Sequence, residues 1–291
     1  MGYRIRTVAL FLVLTLIFMG VGMVLWYFLF DGTRRSLYIV MVAFIILATL
    51  LNLFSYFFSK KIVLRAHKVK IIRREDNPRL YGIVESIATS SGLPMPQVGI
   101  TVNPSPNAFA TGRGPKNAAV VATTGLLDML DDRELKGVMA HELAHVKNRD
   151  VLVMTIAATI AGAISIMARF VLWGALGGNR NGGAVLIAIL AWITIPIAAM
   201  LVQLSISRGR EYKADASGAK MINDPLALAN ALGKLEAGNV RVTMKNENPS
   251  SAHMWIANPF GGRRGAASLF STHPPMQERI RRLNEMAGRL Q

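Results

Sequence analysis

The sequence predicts a multi-pass α-helical membrane protein carrying a small α+β domain, mostly helical with a minor β-sheet. Three observations predict it. Four apolar segments reach the roughly 20 residues that a helix needs to cross a hydrocarbon core of about 30 Å. Short β-like stretches and amphipathic helical patterns fill the intervals between and after them. Finally, 52% of the 291 residues are hydrophobic while the formal charge is +16, from 33 Lys and Arg against 17 Asp and Glu. That pairing of apolar content with basic excess suits a membrane protein better than a soluble basic domain. No aromatic-interleaved basic motif accompanies the charge, so nucleic acid is not expected as a partner.

Residues 1–58 are expected to form an N-terminal transmembrane hairpin of segments 8–30 and 36–58. The first follows "MGYRIR"; it is too long for the apolar core of a signal peptide, and no small-residue cleavage site follows it, so a retained anchor is expected. "DGTRR" makes the tight link. The second segment runs into "SKKIVLRAHKVKIIRR".

Residues 59–150 read as the first part of the polar domain. In "NPRLYGIVESIATSSGLP", Asn77 suits an N-cap, Pro78 the first turn, and Leu80, Ile83, Val84 and Ile87 recur at helical spacing. "QVGITV" and "NAAVVATT" read as short strands, separated by "NPSPNAFATGRGP", whose prolines and glycines exclude a continuous helix. "DDRELKGVMAHELAHVKN" begins a helix, with Asp131 as cap and Glu134 three positions later as in a capping box.

A second transmembrane or membrane-associated hairpin is expected over 151–205, from segments 151–173 and 184–205. Arg169 lies near the far end of the former and Pro196 within the latter, so a hairpin buried in the domain or lying on the membrane surface is the competing reading. Residues 206–291 complete the domain, with helical character in "SISRGREYKADASGAKM" and in "PPMQERIRRLNEMAGRL". Lys60, Lys61, Arg65, Lys68, Lys70, Arg73 and Arg74 follow the second segment, whereas the link after the third offers only Arg180. This asymmetry places the polar domain and both termini in the cytoplasm.

Cysteine is absent, so a metal site must use His, Asp or Glu. Of the five histidines, His141 and His145 stand four residues apart, so both project from one helix face and can meet one ion. Glu142 lies about 100° around the helix from His141. It can therefore reach a water beside the metal without itself being a ligand. The chemistry expected is amide hydrolysis, with zinc acidifying the water and the carboxylate taking its proton; a helix with two surface histidines and an exposed glutamate is the alternative. Catalytic zinc commonly takes a third protein ligand. "REYKAD" offers Glu211, with Asp215 one turn on as an acceptor for the free N–H of a ligand histidine. The alternative is a pair of solvated acids balanced by Arg208, Arg210 and Lys213. His67 and His253 are expected to be structural or exposed.

"NAFATG", "HELAHVKNRD", "SRGREYKAD" and "STHPP", in this order among four apolar segments, are together similar to the HtpX family of bacterial membrane-bound zinc endopeptidases, relatives of the CAAX prenyl proteases. The resemblance covers essentially the whole chain. It implies a zincin-like catalytic domain of the gluzincin type and one Zn2+ per subunit, with His141, His145 and Glu211 as ligands. Glu142 would be the general base and acid, and Asp215 would support a ligand. An extended substrate would add as a strand beside Asn107, Ala108, Phe109, Ala110 and Thr111, supplied with main-chain hydrogen bonds; a simple turn is the other reading of that segment. His273 either donates to the oxyanion or shapes the loop before the last helix, and Arg208 is a competing donor.

The resemblance further implies a protease of the bacterial inner membrane that removes misfolded or damaged membrane proteins under stress. Its partners would be the lipid bilayer and membrane-protein or unfolded polypeptide substrates. A processing enzyme for lipidated peptides and an inactive scaffold with a structural metal site are the rivals, and Glu142 argues against the scaffold because a structural site has no use for it.

Overall fold

The computed structural model describes residues 3–29, 33–157, 159, 208–241, 255–256 and 274–289. Two long helices, α1 (Tyr3–Leu29) and α2 (Arg34–Ala66), pack on each other. Asn52 of α2 donates from Nδ2 to the Phe11 carbonyl at 3.4 Å and to Thr15 Oγ1 at 3.3 Å, a polar tie between otherwise apolar helices. Their outward residues, among them Leu12 and Leu16 of α1 and Ile46, Leu50 and Phe57 of α2, are exposed. By length and composition α2 can cross a bilayer, while the described apolar run of α1, Thr7–Gly20, is shorter. Most of segment 151–173 and all of 184–205 lie outside the described residues.

The second helix runs eight residues past the expected end at Phe58. Nothing in "SKKIVLRA" breaks a helix, and Val63 gains apolar partners by continuing it: Phe109, Val121 and Trp255. The chain thus enters the polar domain as an unbroken rod, and His67 caps it.

A four-stranded mixed sheet follows, of β1 (Lys70–Ile72), β2 (Gln97–Thr101), β3 (Ala108–Gly112) and β4 (Ala118–Thr123), in the order β1-β2-β4-β3. β2 and β4 are parallel and the outer pairings antiparallel. Ala108–Gly112 of "NAFATG" is therefore a strand, not a turn, and it lies at one edge of the sheet. It turns into β4 through Gly112 and Gly114, whose φ of 133° and 142° suit glycine.

Helix α3 (Pro78–Ser90) starts at Asn77, whose side chain accepts from the Leu80 N–H at 2.9 Å. A short α4 (Thr124–Met129) leads to α5 (Asp132–Lys147), which carries the histidine pair. The capping box is present: Asp131 Oδ1 accepts from Glu134 N–H at 2.9 Å, and Glu134 Oε2 accepts from Asp131 N–H at 3.1 Å. Among the described residues three further helices, α6 (Arg208–Ile222), α7 (Pro225–Arg241) and α8 (Met276–Gly288), belong to the domain. The core forms around α5, whose Leu135, Val138, Met139 and Leu143 have no exposed surface. Each such side chain contributes about 1.5–3 kcal/mol through burial.

Candidate active site

Two neighbours fix α5. On one side α6 runs against it, and Gly218 makes the approach possible: a Cβ there would stand 2.8 Å from the His141 backbone nitrogen. Glu211, Asp215 and Gly218 recur at helical spacing, so the face that touches α5 also delivers two carboxylates to it. On the other side lies β3, whose Ala110 backbone stands close enough to the Glu142 carboxylate to favour its charged form.

The two imidazoles meet edge to face, ring centres 4.7 Å apart, and one ligand atom each from His141, His145 and Glu211 falls within 4.8 Å of the others. Both Nε2 atoms point at the same carboxylate, His141 at 3.8 Å from Glu211 Oε2 and His145 at 3.4 Å from Oε1. All three side chains are buried. Two imidazoles and one carboxylate converging on one point are a donor set that fits a divalent metal such as zinc.

Each histidine is backed by an aspartate. His141 Nδ1–H donates to Asp215 Oδ1 at 2.9 Å, which leaves the Nε2 lone pair facing the cluster. His145 Nδ1 faces Asp150 Oδ2 at 3.6 Å, long for a direct hydrogen bond but near enough for the charge to act. Asp150 is brought back by the turn after α5, where Arg149 takes a positive φ of 60°.

Arg279 of α8 is a further member. Its guanidinium, with no exposed surface, grips Asp215 through both oxygens, Nε to Oδ2 at 2.8 Å and Nη2 to Oδ1 at 2.7 Å. Nη1 donates to the Ile256 carbonyl at 3.2 Å. Since Asp215 already takes the Nδ1 proton of His141, Nη2 at 3.5 Å from that nitrogen is a neighbour and not its donor.

These contacts set the charges. Burial pushes His141 down to about 4 despite Asp215, so its ring is neutral at pH 7. Burial opposes the charge of His145 too, yet Glu211, Asp150 and Glu142 outweigh it and raise the group to about 10 in the metal-free protein. Glu142 is raised to about 7, mainly by burial and further by Glu211, against the pull of His145 and Arg279. Burial of Asp215 is overcome by Arg279 and His141, which hold it at about 2.

Of the residues expected from sequence, His141, Glu142, His145, Glu211 and Asp215 are brought together. Arg208 is the first residue of α6 and exposed. His273 and His253 lie outside the described residues, while His67 packs its ring on Phe109 and Trp255. Asn107, Ala108, Phe109, Ala110 and Thr111 are all buried, although β3 is an edge. Its outward groups are engaged within the chain: Ala108 C=O accepts from Ile256 N–H at 3.0 Å, and Gly112 N–H donates to Thr155 Oγ1 at 3.2 Å.

Asp150, Gly218 and Arg279 escaped sequence reasoning. For Asp150 and Arg279 a signal existed: an aspartate just past the histidine helix, and an arginine on the inward face of the last helix.

Comparisons with known proteins agree with this arrangement. The sequence profile described as Peptidase family M48 matches residues 74–287, which include every element of the cluster. The chain is 46% identical to the "Protease HtpX homolog" of Syntrophobacter fumaroxidans, over 98% of this chain and 100% of that protein. It is 47% identical to that of Thermococcus sibiricus, over 99% and 97%. In fold, it resembles the crystal structure of S. mikatae Ste24p, with a TM-score of 0.50 at 18% identity; the match covers 92% of this chain and 62% of the longer one. A metalloprotease donor set on the histidine helix, inside the matched span, accords with what these likenesses say: the chain belongs to peptidase family M48, among the protease HtpX homologues.

Proposed function

We propose that the chain is a zinc-dependent endopeptidase, anchored by several membrane spans with its gluzincin-type catalytic domain in the cytoplasm, that cleaves misfolded or damaged membrane proteins. One observation carries the reading: a buried carboxylate, Glu142, stands beside a three-ligand cluster without belonging to it. A purely structural metal site would leave that acid without a role.

His141, His145 and Glu211 would hold the metal, which when bound supplies Lewis acidity to polarise a scissile carbonyl and to acidify a water. Glu142 takes the proton of the attacking water and returns it to the leaving amine. The Ala110 backbone of β3 favours the charged form of that carboxylate. Asp215 and Arg279 keep His141 in the tautomer whose Nε2 can bind metal.

β3 is proposed as the strand beside which an extended substrate docks, with Ile256 leaving the Ala108 carbonyl to make room. Recognition through main-chain groups accepts many sequences, which suits clearance of damaged proteins. His273, six positions before Arg279 in the sequence, is proposed as the oxyanion donor, with Arg208 at the start of α6 as the competing donor. The membrane reading is supported by α2, by the exposed apolar face of α1 and α2, and by the packing of Leu152 and Ile156 on Leu10 and Leu14 of α1.

The test is metal depletion of detergent-solubilised protein followed by zinc addition, with an unfolded polypeptide as substrate. Hydrolysis should vanish and return, and Glu211→Ala should bind zinc poorly and stay inactive after addition. Full hydrolysis by the metal-free protein would overturn the reading.

A further inference from the structure

We propose that the concave basic surface where α2 meets the polar domain binds the phosphodiester headgroup of an anionic phospholipid. A cavity of about 610 Å³ opens there, lined by Lys60, Lys61, Arg65 and Lys68 together with Leu64 and Gln97. No carboxylate lines it. Within the same basic run the other cations are neutralised: Lys70 pairs with Asp76 at 3.7 Å, Arg73 with Glu75 at 3.9 Å, and Arg74 with Glu85. Among the described residues the four cavity cations have no such partner.

A fifth cation lies close to one of them, Lys60. Arg113 lies over the rings of Tyr56 and Phe57 at 5.3 and 5.2 Å and repels Lys60. Such a gathering of like charge in one concavity is relieved by a bound anion.

Position selects the source of that anion. This inference rests on the proposed membrane placement. Residues 36–58 at about 1.5 Å each span roughly 35 Å, enough to cross the hydrocarbon core and leave Lys60 and Lys61 at headgroup level. Leu53, Phe54, Phe57 and Phe58, just before them, are large apolar side chains left about half exposed. A soluble acidic partner or a nucleic acid has no use for that flank, whereas a phospholipid offers acyl chains to it and a phosphate to the cavity.

The site would do more than hold lipid. Val63, on the last turns of α2, packs on Phe109, Val121 and Trp255, and Thr101 Oγ1 donates to the His67 carbonyl at 2.6 Å. These contacts weld the end of α2 to the sheet whose edge strand β3 packs against the histidine helix α5. A phosphate clamped at Lys60 and Arg65 therefore fixes the height of the active site above the bilayer, and with it which peptide bonds come within reach.

The experiment uses the full chain in nanodiscs of phosphatidylcholine with about one-third phosphatidylglycerol, and counts by native mass spectrometry the lipids retained on release. Wild type should keep phosphatidylglycerol over phosphatidylcholine by about tenfold or more. The triple variant Lys60→Gln, Lys61→Gln, Arg65→Gln should lose that preference. Lys70→Gln, Arg73→Gln, Arg74→Gln, which removes the same charge outside the cavity, should keep it. Equal loss in both variants would reduce the effect to general surface charge and overturn the site. Displacement of the lipid by excess inorganic phosphate would overturn the lipid assignment. Carbonate extraction of cell membranes separates the premises: release of the chain defeats the membrane reading and this one with it, whereas retention without lipid preference defeats this one alone.

Discussion

Replacing Arg279 by methionine removes a guanidinium with no exposed surface and strands the Asp215 carboxylate that it grips at 2.7 and 2.8 Å. Breaking one side of a buried pair costs about 3–5 kcal/mol. The depression of Asp215 gives a consistent scale: its carboxyl is held at about 2 instead of 3.8, which corresponds to about 2 kcal/mol. That share of stability is present above pH 3.8 and is lost as pH falls towards 2, so the variant should show less of this acid-dependent loss. At about 2–4 °C per kcal/mol, Tm should drop by roughly 6–20 °C. The more telling readout is metal affinity, by competition with a chelator. Asp215 without its clamp no longer fixes the His141 ring, and affinity should weaken about 10–100-fold. Arg279→Lys restores charge without the two-pronged grip and should recover only part of it. An Asp215→Asn, Arg279→Met double variant should regain stability but not affinity. Unchanged affinity beside a lowered Tm would reduce Arg279 to a packing residue with no part in holding His141.

Metal uptake at pH 7 should release about one proton or slightly more per chain, since His145 at about 10 enters protonated and Glu142 at about 7 is partly so. Calorimetry in buffers of different ionisation enthalpy reads this number, affinity should rise with pH, and zero release contradicts the assigned charges. Gly218→Ala should push α6 off α5 and lower metal content and hydrolysis together, because the added Cβ meets the His141 backbone at 2.8 Å. Gly233→Ala, where the Cβ meets nothing within 4 Å on an exposed helix face, should leave metal content and hydrolysis intact and raise stability by about 0.5–1 kcal/mol; equal behaviour of the two variants defeats the close-approach argument. Asp131→Ala should cost about 1 kcal/mol through loss of the α5 cap while leaving zinc content at the wild-type level.

What the sequence revealed was local. The capping box of α5, the N-cap of α3 and the spacing of His141 to His145 and of Glu211 to Asp215 all lie within one helical turn, where periodicity speaks directly. The substrate-strand segment was open between turn and strand because its glycines and prolines mask the alternation, and β4 decides it by pairing. β1, three residues in a basic run, has too few positions for any period to show. Arg279 and Gly218 act only through tertiary approach. One reaches a carboxylate 64 positions away, and the other matters because another helix presses its backbone there. Nor does periodicity foretell that β3 is buried, since its cover comes from α5 and from Trp255 and Ile256, distant in the chain.

The central claim is that Glu142 moves the proton while three other residues hold the metal. Zinc content and cleavage of an unfolded polypeptide, measured on the same preparation of Glu142→Gln, test it most directly. Zinc should be bound as in wild type, with hydrolysis lowered by about 10²–10⁴-fold. Hydrolysis at the wild-type rate, or zinc lost along with activity, would contradict it.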